Sequence, residues 1–260
     1  HTQAKMNIPL PNSPVFYGKV TTRLGTNPKK SNAKFYGGYQ AGVNLDLPAN
    51  IDGTVNAAKS NGRVFPTGNL WLTFNNDMVT WKTSATGTET TEPISTFAPN
   101  GVILAEKGNI RIKGTISGKV TICATGSSGL GFGNIYVDDD IVYASDPRNG
   151  PSNDMLGLVT QNNVIVTDNT ANRSDCRIDA TIFCLTGGLT AENYNTRPVS
   201  GTLYLLGGMT QYQRGPVGTF SGTTLNHGFH KNYKYDNRLL VSFPPAFPLT
   251  GSYEIVSWLE

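Results

Sequence analysis

Charge is scarce in this chain. Asp, Glu, Lys and Arg make up 15% of 260 residues and leave a formal net charge of only +3. Lys29-Lys30 is the sole adjacent basic pair, so no stripe exists that could track a phosphate backbone, and nucleic acid is set aside as a partner. No apolar run approaches the roughly eighteen residues of a membrane span. The chain opens on His1 rather than Met and shows no secretory leader. Membrane contact is therefore expected only through an anchor absent from this chain, removed before His1. The closing Leu259-Glu260 reads either as a cloning scar or as native sequence. Amphipathic helix patterning is also missing; Asn56-Ala57-Ala58-Lys59 is the one stretch suited to a helical turn.

Cysteine is sparse as well. With Cys123, Cys176 and Cys184 at least one thiol stays unpaired. Cys176, Ile178, Ala180, Ile182 and Cys184 alternate with Arg177, Asp179, Thr181 and Phe183, which places both cysteines on the inner face of one strand. Eight residues of extended chain span roughly 26 Å, far beyond disulfide reach unless the strand bends sharply. Small buried core residues are the expected role, and the redox state is not legible from cysteine usage.

What the chain has in abundance is turn formers, including 29 Gly, and short apolar runs. Between 100 and 169 these runs are Val102-Ile103-Leu104, Ile110-Arg111-Ile112, Val120-Thr121-Ile122, Ile135-Tyr136-Val137 and Val164-Ile165-Val166. Gly-, Asn- and Asp-rich turns separate them, and none is long enough for an ordinary helix. The pattern predicts an all-β chain, specifically a right-handed parallel β-helix, a solenoid of short strands joined by tight corners.

On this reading residues 1–260 form a single β-helix domain. Residues 1–68 are irregular first coils, with Val15-Phe16-Tyr17 strand-like and turns at Asp52-Gly53 and Asn61-Gly62. Residues 69–99 hold a hairpin and a loop excursion. A two-residue turn at Asn76-Asp77 sets Leu70, Leu72, Phe74, Val79 and Trp81 on one face, with Trp71, Thr73, Thr80 and Lys82 on the other. The solvated stretch 84–93 is the expected excursion. Regular coils run from 100 to 212. Residues 213–260 are an irregular, Pro- and aromatic-rich cap expected to pack over the last coil, because an open solenoid end exposes strand edges. Tyr253–Trp258 is expected to return as a strand.

Several strings resemble a known family. They are His1-Thr2, Pro14-Val15-Phe16-Tyr17-Gly18-Lys19-Val20-Thr21, Gly133–Tyr143 with its Asp138-Asp139-Asp140, Asn153–Val159, Arg214-Gly215-Pro216-Val217-Gly218, Lys231–Asp236 and the Pro-Pro-x-Phe-Pro tail. Together they resemble an uncharacterised bacterial surface-protein family with an N-terminal membrane anchor, associated with type IV pilus systems. The resemblance covers nearly the whole chain. It implies an extracellular or cell-surface β-helix lacking its anchor here, and it carries no catalytic residues to transfer.

The residues themselves offer few sites. Asp138, Asp139 and Asp140, with Asp146, Asp154 and Asp168 downstream, suit a structural Ca²⁺ or the acid/base pair of a β-helix glycosidase. The preferred reading is a corner, where Asp caps turn amides. Arg111-Ile112-Lys113 is similar to a motif of β-helix polygalacturonases, but there the basic motif follows the acidic pair, with Gly-His-Gly between. Here the order is reversed and His227 is followed by Gly228-Phe229. His227 and His230 lack a nearby third ligand. Ser127-Ser128-Gly129 lies in no nucleophile elbow, and Gly126–Gly133 has no following helix to make a phosphate cradle.

Aromatic side chains give the other candidate. Trp71, Tyr212, Tyr233 and Tyr235 can present flat faces to sugar rings, although Tyr233 and Tyr235 equally serve as cap residues. The expected function is a non-catalytic surface protein of adhesion or pilus-associated assembly. Its partner is a polysaccharide or a cell-surface protein, met through a solenoid flank or the 84–93 stretch. The alternatives are a polysaccharide lyase or hydrolase on the same fold, and a self-assembling structural subunit, which a covered end disfavours.

Overall fold

The computed structural model describes residues 1–8, 14–28 and 33–249; the expected strand at Tyr253–Trp258 and the terminal Leu259-Glu260 lie outside them. Strand accounts for 45% of the chain and helix for 10%, which makes it all-β. Contacts divide it into two compact units, one within His1–Pro48 and one spanning Ala49–Pro248, and each is described by itself.

The described residues of the first unit form short paired strands where irregular coils were expected. Its strands are β1 (Met6–Asn7), β2 (Val15–Phe16), β3 (Val20–Thr22), β4 (Thr26–Asn27), β5 (Lys34–Phe35) and β6 (Tyr39–Ala41). They pair in parallel as β1 with β4, β2 with β5 and β3 with β6. The cause is a short repeat, Phe16-Tyr17-Gly18 and Phe35-Tyr36-Gly37. In-register pairing stacks Phe16 on Phe35 at 5.1 Å and Tyr17 on Tyr36 at 5.7 Å. A Cβ at Gly37 would sit 2.3 Å from the Gly18 carbonyl carbon, so only glycine permits that approach.

The second unit opens with helix α1 (Asp52–Asn61), longer than the single turn expected; Asp52-Gly53 lies inside it and Asn61-Gly62 ends it. Then come β7 (Arg63–Phe65), β8 (Leu70–Asn76), β9 (Met78–Lys82), β10 (Thr90–Pro93) and the short α2 (Ile94–Phe97). The hairpin has the expected register, Phe74 opposite Val79 and Leu72 opposite Trp81, and Asn76 takes φ +58° at its turn. The 84–93 stretch is not a free excursion. Its β-branched Thr90-Thr91 extends the sheet as β10, antiparallel to β9.

Beyond this lie β11 (Val102–Ala105), β12 (Ile110–Ile116), β13 (Lys119–Ala124), β14 (Ile135–Tyr143), β15 (Met155–Thr160), β16 (Val164–Val166), β17 (Cys176–Asp179), β18 (Thr181–Cys184), β19 (Leu189–Ala191), β20 (Val199–Gly207), β21 (Met209–Gln211), β22 (Gly218–Ser221) and β23 (Thr224–Tyr235). They form two sheets. The smaller is wholly parallel, in the order β21-β18-β15-β13-β11-β7. The larger runs β10-β9-β8-β12-β14-β17-β20-β23-β22, with β16 and β19 attached beside β14. From β11 to β21 the chain passes back and forth between the two sheets.

Burial explains the two sequence textures. Strands of the smaller sheet are near-continuous apolar runs because both faces are covered. Ile103, Ile122, Leu158 and Ile182 meet Ile110, Ile112, Ile135 and Leu203 of the larger sheet in the main core. Val102, Leu104, Cys123, Val159 and Phe183 face the other way, against Ile51 and Ala58 of the α1 region and Phe247. Burying one such side chain contributes about 1.5–3 kcal/mol. Strands of the larger sheet alternate buried with exposed residues, leaving its outer face to solvent.

Two expectations are corrected here. Cys176 and Cys184 do not share a strand: Ala180 marks a corner, with β17 in the larger sheet and β18 in the smaller. All three cysteines are free and buried. Among the described residues of the 213–260 span, 218–235 are regular strands and not an irregular cap. β23 extends the larger sheet in parallel beside β20, and β22 folds back antiparallel on it. The Pro-rich segment instead lies along the outer face of the smaller sheet, drawn by the apolar row there. Thr121 Oγ1 donates to the Pro245 carbonyl at 2.5 Å and Thr54 Oγ1 to that of Ala246 at 2.6 Å.

Candidate functional site

The outer face of the larger sheet carries the chain's best-arranged polar and aromatic groups. Strands β8, β12, β14, β16, β17 and β20 each carry a buried–outward–buried triplet, whose middle residue stands on the surface. Parallel in-register pairing then lines these residues up across the strands. One row runs Lys82, Trp71, Arg111, Tyr136, Ile165. A second runs Arg177, Tyr204, Asn232, and beside it lies Asp179, Leu206, Lys234. Neighbours in a row are about 4.8 Å apart, the strand spacing.

Arg111 ties the first row together. Its Nε and Nη2 donate to both oxygens of Asp138 at 2.8 and 2.6 Å, while its guanidinium lies 5.1 Å from the Tyr136 ring centre. Burial raises the Tyr136 hydroxyl pKa, with Glu192 adding to the rise.

Asp138-Asp139-Asp140 is not a corner between strands. It is a bulge within β14: the register passes from Ile112 opposite Val137 to Gly114 opposite Ile141, leaving Lys113 to face the three aspartates. Apolar flanks on both sides stay locked in the ladder, so the extra residues loop out. The carboxylates engage different partners. Asp138 holds Arg111, Asp139 accepts the Asp140 N–H at 2.8 Å, and Asp140 accepts the Arg177 N–H at 2.7 Å. Burial raises the Asp140 pKa, opposed by that hydrogen bond. Among the described residues no three His, Cys, Asp or Glu side chains form a group able to hold a metal ion.

The second row opens into a cleft of about 330 Å³ lined by Arg148, Asp175, Arg177, Asp179, Tyr204 and Lys234, with Asn232, Leu205 and Leu206 completing it. Asp179 is buried, 4% exposed, at its base; its carboxylate accepts the Tyr143 N–H at 3.2 Å. Burial raises its pKa, and the hydrogen bond and the charges of Arg148 and Arg177 oppose the rise. Asp175 accepts the Thr202 N–H at 2.7 Å. Arg148 pairs bidentately with Asp146 at 2.7 Å, which holds the Asp146 carboxyl below its usual range. Asp175 and Asp179 lie four residues apart on extended chain, about 13 Å. Glycosidase pairs need roughly 5–9.5 Å, and both carboxylates are already engaged in backbone hydrogen bonds.

The four expected aromatic residues do not converge. Trp71 stands half-buried on the outer face. Tyr212 is 72% exposed beyond β21, at the edge of the smaller sheet. Tyr233 packs on the core at the end of the larger sheet, and Tyr235 is 55% exposed near the end of β23. His227 and His230 sit in β23; His227 Nδ1 contacts the Arg197 carbonyl at 2.9 Å and His230 lies against Phe220. Sequence reasoning missed Tyr136, Tyr204 and Arg177, and weighed Arg111 only as part of a polygalacturonase-like motif. The signal was the triplets Ile110-Arg111-Ile112, Ile135-Tyr136-Val137, Cys176-Arg177-Ile178 and Leu203-Tyr204-Leu205, whose middle members point outward once the strand period is applied.

No protein-family model matches this chain, and comparison with curated proteins and with solved structures finds no match either.

Proposed function

We propose that this chain is a non-catalytic, surface-displayed right-handed parallel β-helix that binds polysaccharide along the outer face of its larger sheet. Support for the β-helix comes from the alternation of the path between two parallel sheets and from a ladder of stacked asparagines. Asn69, Asn109, Asn134 and Asn163 each accept the backbone N–H of the corresponding residue in the next turn of chain. The right hand follows the general preference of parallel crossovers.

The observation that carries the binding reading is the in-register array of aromatic and donor side chains, Trp71-Arg111-Tyr136 and Arg177-Tyr204-Asn232. A regular array on an open face suits a polymer. Tyrosine and tryptophan offer apolar rings with a polar edge, the combination that sugar rings require. The surface location and a role in pilus-associated adhesion rest on the family resemblance of the sequence. A protein partner on the cell surface remains the competing occupant.

The test is retention of the purified chain on a panel of soluble and insoluble polysaccharides, with and without Ca²⁺, with released sugars assayed in the supernatant. Retention without release, weakened by Trp71→Ala or Tyr204→Ala, supports the reading. Release of reducing or unsaturated sugar contradicts it and points to a lyase or hydrolase.

A further inference from the structure

The cleft around Tyr204 has an uneven use of charge. Every acidic side chain in or beside it already serves the protein. Asp175 holds the Thr202 amide, Asp179 the Tyr143 amide, Asp140 the Arg177 amide, and Asp146 the Arg148 guanidinium. A carboxylate that accepts an amide N–H stays charged, so Arg177 feels Asp140, Asp146 and Asp179 through space, but two cations have no direct side-chain partner. The side chains of Arg177 and Lys234 make no hydrogen bond or ion pair within the protein among the described residues, and both residues are exposed. They stand on either side of Tyr204 and Leu206: Arg177 in β17 next to Tyr204, Lys234 in β23 next to Leu206. Asn232 adds a neutral amide at the same level.

We propose that this cleft selects sugars bearing an oxyanion, a carboxylate or a sulfate. Tyr204 stacks against the sugar ring, and Arg177 and Lys234 hold the anionic group. Arg177 is suited to a planar carboxylate, which a guanidinium binds through two parallel hydrogen bonds, while Lys234 acts as a point charge. Asn232 meets ring hydroxyls. The charges facing the anion are Arg177 and Asp175 from the β17 segment, Asp140 from β14, Lys234 from β23 and the neutralised Asp146–Arg148 pair. Asp179, whose burial favours its uncharged form, lies beneath. This inference rests on the polysaccharide-binding reading and names the class of polymer that reading leaves open.

The experiment compares binding of the whole chain to polygalacturonate, dextran sulfate and neutral dextran of matched length. Each is measured at low and high salt, alongside Arg177→Gln, Lys234→Gln and the double variant. Both positions are exposed, and circular dichroism with an unchanged denaturation midpoint confirms that the variants fold. The expected result is at least about tenfold tighter binding to an anionic polymer than to dextran, the worth of one charge-assisted hydrogen bond. The preference should shrink as salt rises and be largely lost in the double variant. Polygalacturonate ahead of dextran sulfate assigns the recognition to a carboxylate, and the reverse order to a sulfate. Equal binding of all three polymers, or a preference that survives the double variant, overturns the inference and leaves the polysaccharide reading standing. Binding to no polymer overturns both.

Discussion

Asn134 Oδ1 accepts the backbone N–H of Asn163 at 3.1 Å, and Asn109 Oδ1 accepts that of Asn134 at 3.0 Å. Asn134 is 7% exposed, and its side-chain oxygen takes the place of water for the half-buried Asn163 amide. Buried amides without a partner lose about 1–3 kcal/mol. Asn134→Ala should therefore destabilise the protein by that amount, read as a lower denaturation midpoint with unchanged denaturant dependence. Asn134→Asp keeps the acceptor and should lose less than the alanine variant. No loss in the alanine variant would mean that the asparagine stack contributes nothing to holding successive turns of chain together.

The same stack shows what was legible in the sequence. The apolar triplets after each asparagine were visible, and with them the all-β class and the hairpin at Asn76-Asp77. The recurring signal in front of them was readable too: Gly68-Asn69-Leu70, Gly108-Asn109-Ile110, Gly133-Asn134-Ile135 and Asn162-Asn163-Val164. It marks the corner where the chain enters the larger sheet. The paired Phe-Tyr-Gly strings of the first unit were equally readable as a repeat. The bulge at Asp138–Asp140 was not, because it depends on a register shift against Lys113, which lies on another strand. Nor was the cleft, whose members come from separated strands. Counting aromatic residues pointed to Tyr212 and Tyr233. Only strand pairing distinguishes them from Tyr204.

Gly157 and Phe247 define how the C-terminal segment is held. A Cβ at Gly157 would lie 2.8 Å from the Phe247 ring and 3.1 Å from Pro244, so the glycine makes a seat for the tail. Gly157→Val should push the segment off and cost about 1–3 kcal/mol by overpacking. Limited proteolysis is expected to cut near 243–248 in the variant before it cuts the wild type. Equal resistance would remove the tail from the account of stability.

Asp179 gives the pH dependence a sign. Its folded pKa is raised by burial, so the unfolded chain gives up this proton at lower pH than the folded protein does. Its contribution to stability is full below the ordinary carboxylate range and is lost as pH rises through the raised value. Asp179→Asn removes the ionisation while keeping an acceptor for the Tyr143 N–H. The variant should melt higher than wild type at neutral pH, with the gap closing below about pH 4. A gap that widens on acidification would contradict the burial argument.

The thiols should be silent in the folded state. Burial pushes Cys123 and Cys184 up to about 12, and Cys176 is raised as well, by burial and by Asp140 and Asp139. Thiolate is the reactive species, so native protein at pH 8 should resist iodoacetamide at all three positions, while the denatured chain should be labelled at all three. Rapid native labelling at any of them would place that cysteine outside the core.

The central claim is that polymer binds the outer face of the larger sheet. It is tested most directly by covalent labelling of tyrosine and lysine, read by mass spectrometry, with and without a saturating polysaccharide that the chain retains. The account predicts protection of Tyr136, Tyr204 and Lys234, and unchanged labelling of Tyr212, beyond the smaller sheet, and of Lys59 on α1. Protection of Tyr212 or Lys59 with Tyr204 and Lys234 left open would contradict it and move the binding surface to the other sheet.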